Sequence, residues 1–287
     1  MIDLHLHSNY SDGLFSVNEL TDMVKKSHLD FCSLTDHDTV DGVEEFSSKL
    51  NGRSRVIPGV ELTALFNKRE IHVLAYDFDV ATVKRILKKR NQIIEKQKVK
   101  ELDISKKLFS ANGFEVDNLL KIRHNQPVGL TIALDVYNNN KNQEKLLRRH
   151  GKKISSKEFY DLYQSPSAPC FVPRSGVDIK WILKNFNGVA KNLILAHPFN
   201  PVSFLVPPLT LNEIDSLVKL GIDGIEIYHP GLNRRQIDIL EKFVFERDLK
   251  FTGGSDFHGK DKNQKIAFYS KKTPIKYFKL YGLSNNK

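Results

Sequence analysis

The chain reads as an α/β protein with a largely parallel sheet and a helical insertion, on three observations. Short segments rich in β-branched and aromatic residues recur at 1–6, 30–35, 55–62, 71–76, 192–196, 222–228 and 250–254. Helical patterns fill the gaps, and strands alternating with helices imply parallel pairing. Between 80 and 191 no convincing strand pattern occurs, and helix-like periodicity takes over. The expected division is one domain of residues 1–79 and 192–287, interrupted by a helical domain of residues 80–191.

The first helix opens at Ser16-Val17-Asn18-Glu19, a capping-box pattern ahead of Leu20, Met23 and Val24. Residues 62–66 and 71–76 flank the turn-like Asn67-Lys68-Arg69-Glu70, which predicts a hairpin. A long basic helix is expected over 82–109, ending near Asn112-Gly113, and another starts at Ser155-Ser156-Lys157-Glu158. Residues 233–247 place Ile237, Leu240, Phe243 and Val244 on one helical face. The basic tail after about Lys271 reads as a short strand or a loosely ordered end.

Composition bounds the function. A chain of 287 residues, 40% hydrophobic and 27% charged, is ordinary for a soluble globular protein. No run approaches the roughly 20 apolar residues that span a bilayer. The start, MIDLHLHSNYSDG, has no basic region followed by an apolar stretch, so a cytoplasmic location is expected. Cys32 and Cys170 sit among apolar neighbours, which argues against a disulfide scaffold or a structural zinc module and for two buried small hydrophobes. The net charge of +10 favours polyanionic partners: nucleic acid, nucleotides or an anionic membrane surface.

Seven of the ten histidines lie near predicted strand ends or the hairpin, often beside carboxylates. His5 and His7 end the first strand, Asp36 and His37 the second, Glu61 the third, His197 the fifth and His229 the sixth; Asp256 and His258 follow the seventh. In an α/β barrel the carboxyl ends of the strands form the active face, so these groups would converge on one cup. The hairpin would bring His72 over the same cup. His5-Leu6-His7 has the period-2 spacing that turns both imidazoles to one face. Imidazoles joined by carboxylates suit Zn, Mn or Fe rather than Ca or Mg.

These motifs resemble the PHP family, the polymerase and histidinol phosphatase superfamily of metal-dependent phosphoesterases. The resemblance rests on His5-Leu6-His7-Ser8 with Ser11-Asp12-Gly13, Leu34-Thr35-Asp36-His37-Asp38, Pro58-Gly59-Val60-Glu61 with Ile71-His72-Val73-Leu74-Ala75-Tyr76, Ala196-His197-Pro198 and Ser255-Asp256-Phe257-His258. It implies a distorted (β/α)7 barrel holding two or three divalent transition-metal ions, Mn, Fe or Zn. By the same resemblance His5, His7, Glu61 and Asp256 hold one ion, and Glu61 bridges to a second held by His72 and His197. Asp12, His37 and His258 hold a third. The activity implied is phosphate-ester hydrolysis by a metal-activated hydroxide. His229, in Ile227-Tyr228-His229-Pro230, is the remaining candidate for a general acid or a phosphate hydrogen-bond donor.

The helical insertion resembles the branch of that family acting on nucleotide 3′,5′-bisphosphates and on short RNA from the 5′ end. Phe171-Val172-Pro173-Arg174 resembles a segment of that branch, which makes Arg174 a candidate phosphate contact. Where the branch reads Gly-Arg-Pro-His-x-Ala, this chain has Gly129-Leu130-Thr131-Ile132-Ala133, without the arginine and the histidine. The basic residues from Lys84 to Lys107 read either as a solvated helix face or as a surface for a nucleic-acid backbone. The expected partner is a nucleotide or short-RNA phosphate ester; no membrane and no obligate protein partner is expected. The alternatives are a sugar, amino-alcohol or histidinol phosphatase, and a metal-stabilised nucleic-acid-binding protein without turnover.

Overall fold

The computed structural model describes residues 1–123, 126–200, 207–261 and 264–266. His124 and the tail after Lys271 lie outside the described residues. In chain order the elements are β1 (Ile2–Leu6), α1 (Val17–Lys26), β2 (Phe31–Leu34), α2 (Val43–Leu50), β3 (Arg55–Val56), β4 (Gly59–Phe66), β5 (Arg69–Tyr76) and α3 (Val80–Ala111). They continue with α4 (Val128–Asn138), α5 (Asn140–His150), α6 (Ser156–Tyr163), α7 (Ile179–Phe186), β6 (Asn192–Leu195), α8 (Leu211–Leu220), β7 (Gly224–Tyr228), α9 (Arg234–Glu246) and β8 (Lys250–Gly253).

The helix starts follow their side chains. Ser16, Ser155, Thr210 and Asn233 each accept from the backbone amide three residues on, and Glu19, Glu158, Glu213 and Gln236 complete the reciprocal bond. Strand β4 turns into β5 through Asn67 (φ 50°) and Lys68 (φ 64°). This two-residue link is tighter than the four-residue turn the sequence implies, and two successive left-handed residues match the twist of a hairpin.

The described strands form two sheets, β1-β2-β3 and β4-β5-β6-β7-β8. Pairing is parallel except where β5 runs antiparallel to both β4 and β6. The ladders therefore do not close into the single seven-strand barrel that the family resemblance implies. Segment 55–62 is the point of departure. Pro58 has no amide hydrogen to donate, and the segment divides there into β3 in one sheet and β4 in the other. Between the sheets the isolated pairs Leu6↔Phe257 and His37↔Glu61 remain.

The chain divides into two compact units, Met1–Lys89 with Val177–Lys287, and Arg90–Gly176. These boundaries fall inside the 80–191 span read from the sequence. Val177 accepts from the Leu65 amide and Asp178 pairs with Leu65, so the approach to α7 is stitched to the edge of β4. In the first unit Leu6, Leu20, Leu34 and Phe46 form one buried cluster, and Leu4, Leu74, Tyr76 and Ile194 another. The second unit is helical among its described residues, around Phe109, Phe114, Ile132 and Phe159. Cys32 and Cys170 are both buried free thiols. No described helix is long and apolar enough to cross a membrane.

Candidate metal centre

The first unit brings the sequence-selected ligand candidates together, most of them at or just after strand ends, but Glu61, expected to end the third strand, lies near the start of β4 because that segment divides at Pro58. His5 is the penultimate residue of β1 and His7 follows the strand; Asp36 and His37 follow β2; Glu61 lies in β4 and His72 in β5, where His72 pairs with Thr63. His197, His229 and the pair Asp256 and His258 follow β6, β7 and β8. Close approach of β1 to the end of β8 depends on Gly254, because a Cβ there would come within 2.2 Å of the His5 Cβ. His197 (φ 26°) and Asp256 (φ 51°) adopt left-handed backbone conformations. Non-glycine residues are held there at some energetic cost, which concentrates at functional sites.

The donor atoms then crowd on Glu61. Its Oε2 lies 3.1 Å from His5 Nε2 and 3.2 Å from both His7 Nε2 and His37 Nδ1. Its Oε1 lies 2.8 Å from His72 Nδ1 and 3.1 Å from His197 Nε2. Asp256 Oδ1 is 3.4 Å from His5 Nε2 and 3.2 Å from His7 Nε2. Asp12 Oδ1 is 3.0 Å from His258 Nε2 and 3.8 Å from His37 Nε2, while Asp12 Oδ2 accepts from Lys260 at 2.6 Å. Three sets of mutually close donors result: His5, His7, Glu61 and Asp256; His37, Glu61 and His72; and His7, Asp12, His37 and His258. Two details differ from the family pattern, since His7 joins the last set and His37 stands where His197 was expected. His197 lies outside the three sets, although its Nε2 faces Glu61.

Protonation explains why such a cluster fits divalent cations. Burial opposes charge on His7 and His72, yet the nearby carboxylates of Asp256 and Glu61 carry His7 up to about 9, and Glu61 carries His72 up to about 10. Burial drives His37 down to about 3, with His7 and His72 adding to the effect against Glu61. Burial alone would raise Glu61 and Asp256, but the surrounding imidazoles hold both well below the usual carboxylate range. His5 Nε2, both nitrogens of His7, His37 Nδ1 and Glu61 Oε2 are buried without a hydrogen-bond partner. Native interiors rarely leave such atoms orphaned, and shared cations would satisfy them together, except one nitrogen of His7, whose neutral ring has a single lone pair.

Ring orientation points the same way. His5 Nδ1 lies 2.9 Å from Glu226 Oε1, His197 Nδ1 3.2 Å from the Asn200 carbonyl, and His258 Nδ1 2.8 Å from the Asp256 carbonyl. Each Nδ1–H then donates outward and leaves the Nε2 lone pair facing a candidate donor set, the usual bracing of metal-ligating histidines. His229 is the reverse case. The Gly231 amide donates to its Nδ1 at 3.0 Å, so the ring proton sits on Nε2, 3.2 Å from Asp256 Oδ2. A ring in that state offers a hydrogen bond rather than a lone pair.

Asp36 takes hydrogen bonds from Ser8 N, Ser8 Oγ and Ser11 Oγ at 2.6 to 2.7 Å, and so shapes the loop carrying Asp12. Asp38 accepts from the Thr63 amide at 2.9 Å and ties that turn to β4. Sequence reasoning missed Glu226, which is fully buried in β7. The signal was there: a lone carboxylate inside the apolar strand Gly224-Ile225-Glu226-Ile227-Tyr228. Arg174 belongs to the second unit, in a segment whose Ser175 and Gly176 amides donate to Glu101 and Gln97 of α3 at 2.8 and 3.0 Å. Arg90, read as part of the basic face, is buried, while Lys88 and Lys89 are exposed.

An α/β fold whose strand ends gather imidazoles around shared carboxylates defines the class of metal-dependent hydrolases. Residues 3–170 match the family model described as the PHP domain. A Haemophilus influenzae 5′-3′ exoribonuclease is 26% identical over 262 residues, covering 89% of each chain. A phosphoribosyl 1,2-cyclic phosphate 1,2-diphosphodiesterase from Eggerthella lenta is 24% identical, covering 90% of this chain and 94% of its own. Among solved structures, a protein from Bifidobacterium adolescentis described as a metal-dependent phosphoesterase aligns with a TM-score of 0.62 at 20% identity, covering 93% and 91%. The chain belongs to the PHP domain family. It is a phosphoesterase of that type, a hydrolase acting on phosphate ester bonds.

Proposed function

We propose that the protein hydrolyses phosphate esters of nucleotides, of the 3′,5′-bisphosphate type, or short 5′-phosphorylated oligoribonucleotides. The observation that carries the metal chemistry is Glu61, whose two oxygens face separate sets of imidazoles at 2.8 to 3.2 Å. A carboxylate can be shared by two cations, whereas a neutral imidazole offers one lone pair. In this reading two or three ions of Mn, Fe or Zn are held by His5, His7, Asp12, His37, Glu61, His72, His197, Asp256 and His258. Bound ions supply an acidified water and charge neutralisation at the phosphate oxygens. The chain's own groups do the rest. Glu61 would share its charge between the ions, and Asp256 would complete the set with His5 and His7. His229 offers its Nε2–H to a phosphate oxygen. General-acid catalysis by the same ring is the other role open to it.

The strands are read as an opened version of the PHP barrel, and the helical insertion as the part that engages the polyanion. Arg174 is assigned a phosphate contact because guanidinium matches phosphate bidentately. Support for an RNA or nucleotide substrate comes from the Haemophilus relative's activity and from the chain's +10 charge. A second reading, hydrolysis of a small sugar or cyclic phosphate, is favoured by Leu130 and Ile132, which stand where the nucleotide branch carries its arginine and histidine. Metal-reconstituted protein assayed on mononucleotides, 3′,5′-bisphosphates, short 5′-phosphorylated RNA and sugar phosphates separates them. Turnover confined to sugar or cyclic phosphates would overturn the nucleotide reading.

A further inference from the structure

We propose that Glu226 is a positioning residue that sets the ring tautomer of His5 and couples it to the His197 backbone, so that one buried carboxylate braces two sides of the metal centre. The inference rests on the metal-centre reading above. Glu226 is wholly buried in β7, and both of its oxygens are engaged by candidate ligand residues. Oε1 lies 2.9 Å from His5 Nδ1, and Oε2 accepts from the His197 backbone amide at 3.0 Å. The second bond holds His197 where its backbone is left-handed at φ 26°. When a metal displaces the proton on Nε2, the first keeps the remaining ring proton of His5 on Nδ1. The opposite nitrogen, buried and without a hydrogen-bond partner, is aimed at Glu61 Oε2 and Asp256 Oδ1 at 3.1 and 3.4 Å.

The two partners of Glu226 make opposite demands on any replacement. The His197 amide is a fixed donor, whereas His5 Nδ1 can donate or accept according to tautomer. In Glu226→Gln the single amide oxygen must serve the His197 N–H, which turns the amide NH2 toward His5. His5 Nδ1 then accepts, and the ring proton moves to Nε2, the atom that faces Glu61 and Asp256. An isosteric change thus removes a metal-facing lone pair without touching a candidate ligand. A carboxylate that merely filled space in β7 would have no such consequence.

The test uses zinc alone, with no substrate. Competition titration against a chromophoric chelator should show Glu226→Gln binding its tightest zinc about 10- to 100-fold more weakly than wild type, the usual cost of losing a partner behind a ligand. Circular dichroism and melting of the metal-free variant establish that it is folded. Because a buried substitution can prevent folding, a second measurement uses the wild-type protein. Nitrogen-15 spectra of histidine-labelled, zinc-loaded protein should show His5 protonated at Nδ1 and coordinated through Nε2. Unchanged zinc affinity in folded Glu226→Gln, or His5 protonated at Nε2 in the loaded wild type, overturns the proposal and leaves the metal centre standing. Failure of the wild-type protein to take up zinc overturns both.

Discussion

The two ends of the candidate centre are built differently. At the deep end the His5 and Glu61 side chains are 0% exposed, and His5 is braced from behind by Glu226. At the rim the Asp12 side chain is 46% exposed, and Lys260 already donates to its second oxygen. Deep charges gain from low dielectric and lose badly if unpaired, whereas exposed ones are screened and exchange partners cheaply. A cation in the deep set would therefore be held more firmly than one at the rim.

Glu61→Gln should break the deep set most severely. Loss of its shared charge is expected to lower phosphoesterase activity by about a thousandfold, several kcal/mol of charge stabilisation, and to reduce bound metal. His28→Ala, on a turn away from the centre, is the matched control and should change neither. Equal losses in both folded variants would count against the shared carboxylate. His229→Ala should lower kcat about a hundredfold with metal content unchanged. Partial recovery in His229→Gln, which restores a donor but no titratable group, would sharpen its role as a hydrogen-bond donor.

The rim is expected to yield more gently. In Asp12→Asn the most weakly held ion should leave at about tenfold lower chelator concentration than in wild type, while the deep ions stay. Simultaneous loss of every ion would erase the distinction between the ends.

Proton competition gives a further test with a definite sign. In the metal-free protein His7 and His72 are raised to about 9 and about 10, above their ordinary 6.5. Their stabilising ion pairs are fully present below pH 6.5 and are lost as pH rises through about 9 and 10, so the metal-free protein should weaken over that window. Burial opposes charge on His5 too, but Glu226, Glu61 and Asp256 hold it well above its ordinary value. Metal uptake must displace protons from all three rings, so affinity should increase from pH 6 to 8 with release of about three protons per loaded centre. Calorimetry in buffers of different ionisation enthalpy counts them; uptake without proton release would contradict the charge assignment.

The smallest expected effect lies in α3. Lys88→Glu with Lys89→Glu should raise KM for oligonucleotides about three- to tenfold at low salt and flatten its salt dependence, with little change for mononucleotides. Arg90 is left intact because it is buried. Unchanged oligonucleotide kinetics would make this helix a solvated face.

Most of the centre was legible because its chemistry is local. His5-Leu6-His7 shows its face by spacing, and Asp36-His37, His197, Asp256 and His258 stand where apolar strand patterns stop. Glu226 was harder to read, since its meaning depends on a partner 221 positions away in β1. Arg90 looked like its neighbours because a run of cations conceals which one turns inward. The strand count moved for a similar reason: 55–62 is continuous in hydropathy, and the division at Pro58 is a hydrogen-bonding matter.

The central claim is that this protein is a phosphoesterase whose activity resides in ions held by the strand-end cluster. Metal analysis of protein reconstituted with Mn, Fe or Zn, coupled to activity before and after chelation, tests it most directly. The account predicts two or three ions per chain, activity lost on chelation and activity restored when metal is returned. Less than one equivalent of metal after reconstitution, or full activity in stripped protein, would contradict it.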